Sequence, residues 1–298
     1  SGSGATAVGQ LEYADAGGGL SSDAQKNTIG GTNAGGNISS FGVENLILGY
    51  DAGTGAITGE ENVLLGFEAG KTLTSAYNVA IGGLALKSAA SSGNVAVGRQ
   101  ALENCTGQDN VAIGRQAAKS LTDADTHIAI GYRALYNYTS SSNNTSNIAI
   151  GEDAGYGLVA GPYGTIEGKN VIIGYDAMGQ YPEVGGAREN VAIGYRALWY
   201  GGGGGVGNVA IGSECLKGIT GSSGAHRNTG LGDGCLTNIS TGEVNTACGY
   251  SAGSMVTTGE NNLLLGQLAG RSSSPSGNIT TGSNNVVLGN NSISNLYC

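Results

Sequence analysis

Asn110-Val111-Ala112-Ile113-Gly114-Arg115-Gln116-Ala117-Ala118 is one copy of a nine-residue phrase that the chain repeats fifteen times. The glycine closing its apolar run stands at positions 31, 49, 66, 82, 98, 114, 131, 151, 174, 194, 212, 232, 249, 266 and 289, so successive copies lie 16 to 23 residues apart. A unit of that length is one turn of structure that cannot bury its apolar side alone and must stack on its neighbours. The period points to a solenoid.

The three residues before the glycine are apolar in copy after copy, as in Leu46-Ile47-Leu48, Val63-Leu64-Leu65 and Val191-Ala192-Ile193. The run is short, rich in β-branched residues and bounded by Asn and Gly, which reads as a strand of about five residues. No apolar pattern persists for the roughly ten residues a helix needs. Side chains alternate along a strand, so Val79 and Ile81 share one face and Ala80 takes the other. The larger first and third residues are expected to point inward. Both faces are apolar, as in parallel strands covered on both sides. A 16-residue coil covers one face with its own return segment, and copies of the same chain are the economical cover for the other. An obligate homo-oligomer is therefore expected.

Four residues before the glycine stands Asn in fourteen of the fifteen copies, His127 being the exception. The repeat positions are exemplified by Asn78 and Gly82, Asn94 and Gly98, Asn110 and Gly114, and Asn190 and Gly194. Stacked about 4.8 Å apart, the Asn amides can bond along the fibre as a ladder; equally, each can cap a turn within its own coil. Neither reading implies chemistry. A fixed glycine signals positive φ or a backbone approached too closely for a Cβ. Three residues after it comes Ala in twelve copies, replaced by Cys215, Cys235 and Ser292, which indicates a tight return of the chain over the strand.

These features divide the chain into a leader or cap (1–26), a repeat domain (27–289) and a tail (290–298). Fifteen coils at about 4.8 Å each make a rod on the order of 70 Å long. Glycine supplies 57 of 298 residues without the Gly-X-Y period of collagen. The net charge of −9 is spread without runs, and no basic stripe suggests a nucleic-acid partner. No stretch approaches the roughly 18 apolar residues of a membrane span, so membrane insertion is not expected. The five cysteines form no even-spaced disulfide framework. Cys215 and Cys235 occupy one slot of adjacent repeats, within bridging reach, and read as small buried residues rather than a bridge.

Repeats from Asn62 to Gly131 are the tightest and read as spacer. Beyond Gly131 the connections lengthen, and two of the three prolines, Pro162 and Pro182, fall in them. Nine of the fourteen tyrosines lie between Tyr132 and Tyr200, with Trp199 beside them. Solenoid insertions project from one face and are a common binding surface. Tyr163, Tyr181, Trp199 and Tyr200 are the candidate contacts for a glycan or another cell-surface ligand; the competing reading packs loop aromatics onto the body. Catalytic and cofactor signals are missing. The two histidines, His127 and His226, join no metal-spaced cluster, and adjacent acids such as Glu60-Glu61 point to opposite faces of a strand. No enzyme, cofactor or metal is expected.

The Asn-Val-Ala-Ile-Gly-x-x-Ala-Leu phrase resembles two families. One is the head of trimeric autotransporter adhesins, whose β-roll repeats carry a similar core. The other is the shaft of bacteriophage tail fibres with Ala-Ile-Gly repeats. The last residues, from Val287-Leu288-Gly289 to Leu296-Tyr297-Cys298, look like the segment that precedes an intramolecular chaperone domain in such fibres. The resemblance implies a left-handed parallel β-roll assembled as a homotrimer that adheres to a surface. It favours a phage tail fibre on the virion, attaching to a host cell-surface glycan or other receptor and joined to other fibre or baseplate proteins. A bacterial surface adhesin or extracellular filament is the alternative, and a polysaccharide-degrading tailspike the enzymatic one.

Overall fold

The computed structural model describes residues 21–88, 91–139, 146–158, 168–180, 187–199, 205–218 and 225–295. The leader up to residue 20, Tyr163, Tyr181, Tyr200 and the glycines from 201 to 204 lie outside them. The described residues form an all-β parallel β-solenoid without a helix: one sixteen-stranded sheet whose strands follow chain order. The strand Ser21–Ser22, inside the expected cap, pairs antiparallel with Thr28–Gly30. Every later pairing is parallel and in register, so that Ala96 faces Ala112 and Ala112 faces Ala129. The long insert after Gly151 leaves the register intact, with Ile148 opposite Val171.

The strands are three residues long, but the axial bonding continues past them. In the coil that starts at Asn110, the Val111 N–H donates to the His127 carbonyl in the following coil at 2.8 Å, and the Gly114 N–H donates to the Val97 carbonyl in the preceding one at 2.7 Å. On the return, the Gln116 N–H reaches back to the Arg99 carbonyl at 2.9 Å while the Ala118 N–H reaches forward to Ala134 at 2.8 Å. The corner between is made by alternating backbone hand: φ is +134° at Gly114, +62° at Gln116 and +49° at Ala118. Left-handed conformations in non-glycine residues cost about 1 kcal/mol each, and the axial hydrogen bonds offset that strain.

The glycine that closes the strand is shut to a side chain. A Cβ on Gly114 would sit 2.4 Å from the Gly131 carbonyl oxygen, and one on Gly49 would sit 2.3 Å from that of Gly66. Successive glycines lie so close along the axis that both reasons for a fixed glycine, positive φ and close approach, hold together.

The core corrects the inward assignment of the strand. The middle residue points inside: Ala80, Ala96, Ala112 and Ala129 are fully buried, whereas Val79 and Val111 are half-exposed and Ile113 is 40% exposed. The small residue sits inside because the return segment comes within one side chain of the sheet. Its third, fourth and seventh residues after the glycine, such as Ala117, Ala118 and Leu121, fill the interior. In several coils the volumes are complementary, although Ile172 stands with Met178 and Ala149 with Gly155. Where the middle strand residue is large, as at Ile47, Leu64 and Leu264, the residue four after the glycine is Gly53, Gly70 or Gly270. A Cβ on Gly70 would meet Leu64 at 2.7 Å. Where it is Ala, as at Ala80, Ala96 and Ala129, that residue is Leu86, Leu102 or Leu135, all fully buried. Such trading keeps the interior at close-packed density. Cys248, in a third strand position, accordingly lies half-buried on the outer face, and Cys105, in the connection between two strands, is buried in the core.

Candidate functional site

The asparagine column is a continuous ladder with a local clamp added. Asn110 Oδ1 accepts the His127 N–H at 2.9 Å, while the Asn110 N–H and Nδ2 both donate to Asn94 Oδ1, at 3.0 and 3.2 Å. Its Nδ2 also donates to the Ala124 carbonyl at 2.9 Å, tying down the connection at the end of its own coil. The axial and local readings of the asparagine are thus both realised. All the column's asparagines from Asn27 to Asn262 are buried, so their amides must be paired within the protein. His127 keeps the pattern with different chemistry: its Nδ1 accepts the Asn147 N–H at 3.1 Å, and its ring packs on buried Tyr138 at 4.9 Å. Burial lowers the His127 pKa from 6.5 to about 4, which keeps Nδ1 an acceptor at neutral pH.

The thiols are likewise structural. Cys215 and Cys235 are buried and unbridged. Adjacent strands carry Ala at the middle position, but Gly230 stands between these thiols, where a Cβ would lie 2.5 Å from Cys215 Sγ. The hydrogen bond to Cys235 and burial push the Cys215 thiol up, and desolvation raises Cys105 to about 12. Neither is a ready nucleophile at neutral pH. Among the described residues no group of three or more His, Cys, Asp or Glu side chains is placed to hold a metal ion, and no helix is long and apolar enough to cross a membrane.

Two outward surfaces remain. One is the outer face of the sheet, where Ile81, Ile113, Ile148, Ile150, Leu231 and Leu263 are each more than a third exposed in consecutive or nearby strands. The other is the corner that follows the glycine. Its first position is Tyr or Phe in six of fifteen copies, namely Tyr50, Phe67, Tyr132, Tyr175, Tyr195 and Tyr250. Tyr50 stacks on Phe67 at 5.7 Å and Tyr175 on Tyr195 at 5.8 Å, and all four rings are exposed. The sequence reading looked to the insertions and missed this column, although the aromatic recurrence directly after the glycine is visible in the repeat.

Of the four candidate contacts only Trp199 is described. It is half-buried on this corner, with the Arg196 guanidinium 4.9 Å and the Lys217 ammonium 5.7 Å from its ring. Both cations have carboxylate partners, Asp176 at 3.3 Å and Glu214 at 2.5 Å. The other loop aromatics behave differently from one another: Tyr138 is core, whereas Tyr136 and Tyr156 stack at 5.4 Å on the corner. Salt bridges line the same corner, with Glu68 held below its usual pKa by hydrogen bonds from Lys71 and Lys87. Together these residues form an extended ribbon of rings and charges along the corner. In comparisons with known proteins, no family model, curated protein or solved structure matches the chain.

Proposed function

We propose that this chain is the shaft and adhesive surface of a homotrimeric fibre, about fifteen coils per subunit, most consistent with a viral tail fibre that attaches to a host cell surface. The observation that carries the reading is the apolar outer face of the sheet. Val, Ile and Leu recur there in register in most coils, broken by Thr28 and Gly30 at the start and by Thr229, Thr246 and Cys248 further on, and a lone subunit leaves them partly in water. An extended apolar band of this kind marks an interaction surface. Rods of equal length and identical period cover one another's bands with a single repeated contact, which closed symmetry supplies. The exposed corner carries stacked aromatic rings and paired charges, which supports a binding reading.

The first test is light scattering on the purified chain, expected to give three times the 29.4 kDa of one subunit. A stable folded monomer would remove the trimer and with it the stated reason for the outer face. Genes encoding baseplate proteins beside this one, together with blocking of virion adsorption by the purified fibre, are the outcomes expected of a tail fibre. Neighbouring secretion genes and adhesion without a virion would instead establish a bacterial adhesin. Release of reducing ends from a host polysaccharide would replace adhesion by catalysis.

A further inference from the structure

The corner ribbon has one place where its charge pairing breaks. Lys71, Lys87, Lys119, Arg133, Arg196 and Lys217 each have a carboxylate within 4 Å: Glu68 for the first two, then Glu103, Asp153, Asp176 and Glu214. Apart from the solitary Arg271 far along the rod, the cations of this corner without such a partner among the described residues are Arg99 and Arg115. Both are exposed, and they occupy the same position of consecutive coils. Two guanidiniums stacked one coil apart repel each other, in a chain whose net charge of −9 offers no shortage of acids.

Arg115 is also held in place by a ring. The Arg115 guanidinium lies 4.2 Å from the centroid of the Tyr132 ring, whose neighbourhood also includes Arg133 at 4.7 Å. Arg133 in turn lies over Tyr156, which stacks on Tyr136, and Lys119 stands 5.9 Å from the Tyr136 ring. The Tyr132 face therefore steadies the Arg115 guanidinium, and both arginines of the pair are exposed. Arg99 spends one weak bond on the neighbouring Gln100 at 3.4 Å. Planar guanidinium forks match the oxygen pairs of carboxylates and phosphates, and immobilised forks lose little entropy on binding.

We propose that Arg99 and Arg115, the latter seated on the Tyr132 ring, form a docking site for the acidic groups of a polyanionic surface polysaccharide lying along the rod axis. The inference rests on the adhesive reading above and specifies its ligand class. The recurring coil presents the two positive charges in line with the rod, so an extended polymer with regularly spaced acids meets both at once. Copies of the site around an oligomer would add avidity to weak single contacts.

The test uses the intact fibre and three immobilised polymers: polygalacturonate, poly(glycerol phosphate) and neutral dextran. Wild-type protein is expected to bind one or both polyanions, more weakly as salt rises, and to ignore dextran; the two polyanions distinguish carboxylate from phosphate recognition. The double variant Arg99→Gln/Arg115→Gln should lose roughly tenfold or more in affinity. Lys169→Gln/Arg227→Gln removes the same charge from exposed positions on the opposite edge, before the ladder, and should bind like wild type. The site is overturned if neither polyanion binds, if the control variant loses as much as the arginine variant, or if the arginine variant changes the oligomeric mass, which would make the pair a subunit contact. Arginine-dependent binding by a fibre that does not adhere to cells would instead preserve the site and reject the attachment reading.

Discussion

The two faces of the same strand differ in a way that reverses an ordinary expectation. On the inner face stands Ala112, fully buried; on the outer face stand Val111 and Ile113, partly in water. Size alone would put the isoleucine inside. The geometry of a 16-residue coil forbids it, since the return segment lies too close to the sheet and fills the interior with its own Leu, Ala and Met side chains. Inner positions are therefore selected for volume against one another, and outer positions for whatever covers the sheet. Burial inside a coil maintains the subunit, while apolarity outside it is the basis of the proposed contact between subunits.

The strongest way to break this contrast is to place one carboxylate on each face. Ala112→Asp buries an unpaired charge inside the coil stack, at a cost on the order of 3–5 kcal/mol, and should prevent a folded rod from accumulating. Ile113→Asp should leave the circular dichroism of the subunit intact and abolish the oligomer in light scattering. Equal loss of folded structure in both variants would show that the faces do not divide their roles.

A smaller effect should come from the ladder at the start of the strand. Asn110→Ala removes the acceptor of the His127 N–H and the donor to the Ala124 carbonyl. Two buried backbone groups lose their partners, with an expected loss of about 3 kcal/mol. Hydrogen exchange should quicken first in the coils on either side of residue 110. A uniform change along the rod would contradict the nearest-neighbour character expected of a solenoid.

His127 sharpens the comparison by making one rung of the ladder titratable. Its pKa is about 4 when folded and 6.5 when unfolded, so between these values the unfolded chain binds a proton that the folded chain does not. Stability is then present above about pH 6.5 and falls as the pH drops toward 4, by up to about 3 kcal/mol from this residue. His127→Asn should restore a regular rung and remove that part of the slope. Denaturant titrations of both proteins at pH 7 and pH 4.5 check it; parallel losses would exonerate His127.

Much of this molecule was legible in its sequence because one requirement recurs. The glycine column forecast the stack and its register, since each glycine faces the next at a distance no Cβ tolerates. The asparagine column was equally visible, but its two bonding options could be separated only by seeing that Oδ1 and Nδ2 serve both. The inward face was misread because a three-residue apolar strand is apolar on both sides, so alternation alone has no sign. A deciding signal was present further on: Ile47 with Gly53, Leu64 with Gly70 and Leu264 with Gly270 exchange volume as only residues in contact do. The proposed docking pair was harder to see. Arg99 and Arg115 look like ordinary solvated cations until the ion pairs of the neighbouring coils show that theirs are missing, and that comparison needs coordinates.

The axial hydrogen bonds have a mechanical consequence. Strands lie across the rod, so tension along its length passes through every coil-to-coil interface in series, while the columns within one interface share the load in parallel. Adding coils lengthens such a rod without making it stronger or weaker per interface. Reach can therefore be adjusted by duplicating or deleting a sixteen-residue unit, and the force at which the rod parts is set by its poorest interface, wherever along the stack that falls.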